Sequence, residues 1–182
     1  TLVRYCELAR EMGSPLVRSF VGDVPEDVKE TDWLDYIPEA LHSVGERIKG
    51  LDVEVVIETH DYFSTGKLIA KLIEKAESES IKALWDVWHP YRKGEPPEET
   101  IGYLKNYLKH MHIKDARIMG EDWQLVLPGE GDIPLKKIMG LLKDTGYTGY
   151  LSFEWEKMWH PEIPEPEVAF PRYVEYMSSI IK

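Results

Sequence analysis

Short apolar runs alternate along the chain with longer stretches in which apolar residues recur every third or fourth position. Residues 16–21, 53–58, 81–86, 110–114 and 150–154 are short and largely apolar, and they read as strands. Between them Leu34, Ile37, Leu41, Val44 and Ile48 step by three and four, as do Leu68, Ile69, Leu72, Ile73 and Ala76, then Ile138, Leu141 and Leu142. Each set makes one apolar stripe on a helix. Val174, Met177 and Ile181 predict a last helix, and residues 2–12 predict a first one with Leu2, Cys6 and Ala9 on one face. Thr31 and Thr65 stand where N-caps belong, and Gly50 and Gly146 where helices stop. Pro38 falls inside the first stripe and predicts a kink or a late helix start. Pro161, Pro164, Pro166 and Pro171 read as a long loop ahead of the last helix.

Successive runs begin 37, 28, 29 and 40 residues apart, the length of a strand–helix–strand crossover, so a parallel sheet is expected. Five strands do not close an eight-stranded barrel. They leave an open doubly wound sheet, or most of a (βα)8 barrel without its first part. No GxGxxG follows the first run, which removes the usual dinucleotide reading.

Composition narrows the partners. The chain of 182 residues carries 33 acidic and 22 basic side chains, a net charge of −11. That balance argues against nucleic acid and against an anionic membrane surface. No apolar run reaches the ~18 residues of a membrane span. Cys6, alone, makes no intrachain disulfide and no Cys-rich metal site. A single domain over residues 1–182 and a cytoplasmic location are the expectations.

The informative residues close the apolar runs. Glu58, Asp86, His112 and Glu154 end four successive ones. Parallel strands end on one side, so these four side chains should converge where α/β barrels keep their active sites. Three carboxylates and one imidazole suit Mn²⁺, Mg²⁺ or Co²⁺ and tolerate Zn²⁺. Alternation puts His60 on the face of Glu58, Lys114 on that of His112 and Glu156 on that of Glu154. His89 lies three residues past Asp86. Glu156 could equally orient a metal-bound imidazole. His110 lies one layer deeper and reads as a core histidine. Trp85, Trp88, Trp155 and Trp159 cluster beside these positions, as core, pocket wall or a platform for a sugar ring.

Five motifs occur in order: Ile57-Glu58-Thr59-His60, Asp86-Val87-Trp88-His89-Pro90, His112-Ile113-Lys114-Asp115, Pro128-Gly129-Glu130-Gly131 and Ser152-Phe153-Glu154. The set resembles the xylose-isomerase-like barrel superfamily of sugar isomerases, epimerases and inosose-processing enzymes, with endonuclease IV as a distant relative. The resemblance spans essentially the whole chain. It implies a (βα)8 TIM barrel with Glu58, Asp86, His112 and Glu154 as the ligands of one divalent cation, Mn²⁺ first. It implies that His89 touches substrate, with His60, Lys114, Glu156 and Arg117 as further substrate-binding candidates. Endonuclease IV needs more Asp and His ligands ahead of the Gly-Glu-Gly motif. Residues 123–128 supply none.

The implied chemistry is an isomerase or epimerase of the sugar phosphate isomerase/epimerase type, acting on a small ketose, hydroxy-ketone or inosose. Glu58 and Glu154 would pass the proton next to the carbonyl. An inosose-dehydratase-type lyase, an endonuclease-IV-like phosphoesterase and a non-catalytic sugar-binding module are the alternatives. The resemblance also makes residues 16–21 a fourth strand, and the chain the C-terminal portion of a barrel. At ~30 residues per unit that leaves some 70 to 100 residues of barrel outside it. A half-closed sheet with bare edges should associate, as a homo-oligomer or otherwise.

Overall fold

The structure is a computed structural model that describes residues 1–120 and 122–181. Helix α1 (Leu2–Glu11) leads into β1 (Leu16–Ser19), α2 (Glu30–Ile48), β2 (Glu54–Glu58), a 3-10 turn at Asp61–Phe63, α3 (Gly66–Ala76) and β3 (Ile81–Asp86). The short α4 (Trp88–Arg92) and α5 (Pro97–Leu104) precede β4 (Leu108–Ile113). A hairpin of β5 (Asp115–Met119) and β6 (Asp122–Val126) follows, then α6 (Leu135–Thr145), β7 (Tyr150–Phe153) and α7 (Pro166–Ile180).

Strands β1, β2, β3, β4 and β7 form one parallel sheet in that order, half of a barrel. Side chains in register on parallel neighbours point the same way. Arg18 is in register with Val56, Glu58 with Leu84, Asp86 with His112 and His112 with Ser152, and these positions make the inner face. Val55, Ile57, Ala83, Trp85, Met111 and Ile113 make the outer face, each no more than 1% exposed. Helices cover that face in sequence, α1 on α2, α2 on α3, α3 on α5 and α5 on α6. Burying a side chain the size of Ile57 or Met111 contributes roughly 1.5–3 kcal/mol, so the helix-to-sheet layer holds the fold.

The expected helix and strand pattern is present, with corrections at the ends. β1 stops at Ser19 and β4 starts at Leu108. Thr65 caps α3, its hydroxyl accepting from Leu68 N at 3.3 Å. Thr31 lies inside the first turn of α2 and Lys29 holds the cap position. Pro38 does not delay α2, which runs from Glu30 to Ile48 with Pro38 buried inside it. Gly146 ends α6 at φ +72°, and Gly50 follows the cap of α2, Lys49, at φ +85°. The last stripe is displaced: Val174 is exposed and Ile181 lies past the end of α7. Aromatic contacts set that face instead, with Tyr173 stacked on Phe153 at 4.6 Å and its hydroxyl donating to Leu151 O at 2.6 Å. The proline-rich loop ends early, because Pro166 opens α7, where its missing N–H costs nothing, and Pro171 lies within it. The β5–β6 hairpin has no break in the sequence ahead of it, since it starts two residues after β4.

Candidate metal centre

Glu58 ends β2, Asp86 ends β3, His112 is the penultimate residue of β4 and Glu154 follows β7. One ligand atom from each lies within 4.8 Å of the others. A cation held at about 2.1–2.4 Å by every donor puts its donors no more than about 4.8 Å apart, and the cluster meets that bound. Among the described residues this is the one cluster of three or more such side chains. Glu58 and Asp86 are wholly buried, whereas His112 and Glu154 are partly exposed towards the strand ends.

The cluster is held by its own charges. His112 Nδ1 lies 2.8 Å from Glu58 Oε1 and 3.5 Å from Glu154 Oε2. Lys114, 1% exposed, places its ammonium 3.0 Å from Asp86 Oδ2 and 2.5 Å from both Glu154 Oε2 and Glu156 Oε1. Asp86 Oδ1 accepts from Trp88 N at 2.8 Å. Its Oδ2 is buried and makes no hydrogen bond, and the Lys114 ammonium stands beside it as an ion pair at 3.0 Å. A buried carboxylate oxygen with an ion pair but no hydrogen bond, facing two carboxylates and an imidazole, fits a hard or borderline divalent cation.

The titration behaviour follows from this crowding. Burial pushes Asp86 up to about 6, with Glu154 and Glu58 adding to the rise and Lys114 opposing it. Burial disfavours the imidazolium of His112, but hydrogen bonds and charge from Glu154 and Glu58 outweigh it and raise His112 to about 9. Burial likewise opposes ionisation of Glu154, and His112 and Lys114 overcome it, holding Glu154 well below the usual range. Lys114 is disfavoured by burial yet driven above its ordinary value by Asp86, Glu154 and Glu156. Without a metal, protons and ammonium groups therefore supply the positive charge that three carboxylates demand.

The remaining candidates are placed as follows. His89 is pushed down to about 3 by burial first and by Lys114 and His60 next, so its imidazole is neutral. Its ring lies 4.4 Å from that of His60, which lies 4.8 Å from that of Phe20. Trp88 flanks His89 at 5.3 Å, with the cationic heads of Arg92 and Lys114 over it. Of the other tryptophans, Trp85 is in the outer core, Trp155 stacks on Phe153 and Trp159 is exposed. Glu156 reaches the cluster through Lys114. His110 is a satisfied inner-face histidine, with Nε2 2.7 Å from Ser152 Oγ. Arg117 is exposed on the hairpin, where Nη2 donates to Glu130 O at 2.6 Å, and the structure does not bring it into the cluster.

The Gly-Glu-Gly motif proves to be a clamp around Asp115. That buried carboxylate accepts from the backbone N–H groups of Gly129, Ala116, Gly131 and Ile133 at 2.8–3.3 Å. A Cβ on Gly131 would stand 2.1 Å from Asp115 Oδ1, so only glycine fits there.

Two contacts were not legible in the sequence. Arg18, whose only visible role is as the single charge on an apolar edge strand, donates Nε to Glu58 Oε2 at 2.6 Å. Its inward position follows from the strand's period of two, but its partner follows only from the register with β2. The buried Thr59 hydroxyl accepts from Asp86 N at 3.0 Å and donates to Asp86 O at 3.2 Å, tying the ends of β2 and β3 together.

Comparison with known proteins bears on the fold. Inosose dehydratase of Clostridium tetani is 28% identical over 150 residues, covering 70% of this chain and 48% of that protein. The chain thus spans about half the length of the curated relatives it matches. A solved structure of the IOLI protein with a bound zinc atom superposes with a TM-score of 0.81 at 14% identity, over 98% of this chain and 67% of that one. A D-tagatose 3-epimerase-like protein superposes with a TM-score of 0.78 at 20% identity, over 98% and 67%. At those identities the likeness is one of fold. The family model described as xylose isomerase-like TIM barrel matches residues 1–178, and the chain belongs to that family.

Proposed function

We propose that this chain carries the catalytic half of a divalent-metal-dependent enzyme that enolises a small hydroxy-ketone, a ketose or an inosose. The observation behind the reading is the convergence of Glu58 and Glu154, from strands on either side of β3 and β4, on one donor cluster with Asp86 and His112. Those four residues would hold the ion, with Mn²⁺ the first choice and Mg²⁺, Co²⁺ or Zn²⁺ as alternatives. When bound, the ion supplies Lewis acidity to adjacent carbonyl and hydroxyl oxygens. Glu58 and Glu154 flank the substrate; one removes the proton beside the carbonyl and the other returns a proton to the enediolate. The neutral His89 offers one donor and one acceptor nitrogen to a substrate hydroxyl. His60 lies against it, and Phe20 and Trp88 bound the same wall.

Charge favours a neutral substrate. Glu58, Asp86, Glu154 and Glu156 face the cationic Arg18 and Lys114, so a divalent ion brings the group to neutrality. No helix among the described residues is long and apolar enough to cross a membrane.

Loss of water from an inosose is the second reading, favoured by the curated relatives, which are inosose dehydratases. It begins with the same proton abstraction and differs in what the enediolate does next. Nuclear magnetic resonance of the Mn²⁺-loaded protein in D₂O, with an inosose and a ketohexose as probes, separates the readings. Solvent deuterium at the carbon beside the carbonyl supports enolisation. An altered stereocentre then marks an epimerase, and a lost hydroxyl a dehydratase. Turnover without deuterium would indicate a hydride shift and defeat the two-carboxylate mechanism.

A further inference from the structure

The two cations at the cluster are not equivalent. Lys114 is sealed among Asp86, Glu154 and Glu156, whereas Arg18 sits on the strand at the sheet's other edge with 40% of its side chain exposed. An Arg–carboxylate pair ordinarily uses both oxygens of the acid. Here Nε, at 2.6 Å, and Nη2 both address Glu58 Oε2, and His112 takes Oε1 at 2.8 Å. The fork therefore makes the two oxygens of Glu58 unequal. Nη2 also lies 4.0 Å from Glu154 Oε1, so the guanidinium stands between the two acid–base candidates. The Phe20 ring, 5.2 Å from Arg18 Cζ, steadies the guanidinium by a cation–π contact.

Resting on the metal-dependent reading above, we propose that Arg18 is a positioning residue that holds Oε2 of Glu58 and so leaves it a single oxygen, Oε1 on the His112 side, to turn to a cation. Glu58 is the most deeply buried of the flanking acids and carries no other restraint on Oε2 among the contacts described. Released from Arg18, it is free to turn and offer both oxygens to a cation, which binds the ion more tightly and removes the lone pairs needed for proton transfer. A guanidinium held by two donors fixes that rotation, and an ammonium with one point contact does not. Arg18 thus lowers metal affinity and raises the fraction of Glu58 poised for chemistry.

The test compares Arg18→Gln and Arg18→Lys with the wild type, reading Mn²⁺ affinity by titration calorimetry and C–H exchange in D₂O. Removing one positive charge beside the cluster should tighten Mn²⁺ binding by threefold or more, on the order of what Coulomb attraction gives in a partly solvated site. Exchange in Arg18→Gln should fall about 10–100-fold, the usual loss when a residue that orients a ligand is removed. Arg18→Lys, which keeps the charge but not the two-donor fork, should tighten Mn²⁺ binding less than Arg18→Gln does and recover part of the exchange rate. Affinity that falls or stays level in Arg18→Gln overturns the proposal, whether or not a substrate is in hand. Exchange in Arg18→Lys equal to wild type would reduce Arg18 to a simple charge and overturn it too. A wild-type protein that binds no Mn²⁺ defeats the metal reading itself, and the proposal with it.

Discussion

Asp86 and Asp115 are both buried to within 1% of full enclosure, both stand at the C-terminal end of a strand of the parallel sheet (Asp86 as the last residue of β3, Asp115 two residues past β4), and burial raises both. They differ in what their oxygens touch. Asp115 spends both oxygens on four backbone N–H groups and closes the 129–133 loop onto the hairpin base. Asp86 spends Oδ1 on Trp88 N and leaves Oδ2 facing a lysine, two carboxylates and an imidazole. A buried acid is thus not by itself a site. An oxygen left to an ion pair, with no backbone donor on it, separates the residue suited to hold a ligand from the one that holds the chain.

The largest expected difference is in folding. Asp115→Ala leaves four N–H groups in or near the core without an acceptor, and each costs about 1–3 kcal/mol unless water reaches it. A loss of roughly 3–5 kcal/mol in urea unfolding is expected, with Mn²⁺ affinity of the folded fraction unchanged. Asp86→Asn removes a buried charge and should leave the metal-free protein at least as stable as wild type. If the two substitutions destabilise equally, the contrast between the two aspartates fails.

Metal binding should reverse that order. Asp86→Asn and Glu154→Ala should each abolish stoichiometric Mn²⁺ by elemental analysis. Glu156→Ala should weaken binding about tenfold, because Glu156 only draws the Lys114 ammonium off the other carboxylates. Full occupancy in Glu154→Ala would remove it from the ligand set.

The pH dependence carries opposite signs with and without metal. His112 sits at about 9 in the metal-free fold against an ordinary value of 6.5. Its stabilising charge is therefore complete below 6.5 and is lost as pH rises towards 9, so the metal-free protein should soften over that window. A metal ligand must give up that proton, so Mn²⁺ affinity should rise up to about tenfold per pH unit over the same range and level off above it. Affinity independent of pH between 6.5 and 9 would mean that His112 is not a ligand.

Much of the site was legible because its signals are local. Glu58, Asp86, His112 and Glu154 each end an apolar run, and parallel strands gather their ends without further information. Lys114 and Glu156 follow from alternation along single strands. What the sequence hides is pairwise and distant. The Arg18–Glu58 contact joins residues 40 positions apart, and the four donors to Asp115 come from a loop whose glycines are explained only by what they would strike. The displaced face of α7 is hidden for the same reason, since Tyr173 outranks Val174 only once Phe153 lies beneath it.

The finest expected effect concerns Thr59, which ties Asp86 to Glu58 through the backbone. Its hydroxyl meets both the N–H and the carbonyl of Asp86, in a wholly buried setting where no solvent replaces it. Thr59→Val keeps shape and volume and removes those two hydrogen bonds, leaving both backbone groups unpaired. A stability loss of about 1–3 kcal/mol follows from that alone. If the bond only supports the fold, Mn²⁺ affinity measured well below the unfolding temperature should not move. If it sets the spacing of the two buried ligands, affinity should drop several-fold while Glu154, on a separate strand, still binds. Thr59→Ser restores both hydrogen bonds and loses only a methyl group. It should recover the affinity even where some stability is lost, and failure to do so would leave Thr59 a packing residue with no hold on the metal centre.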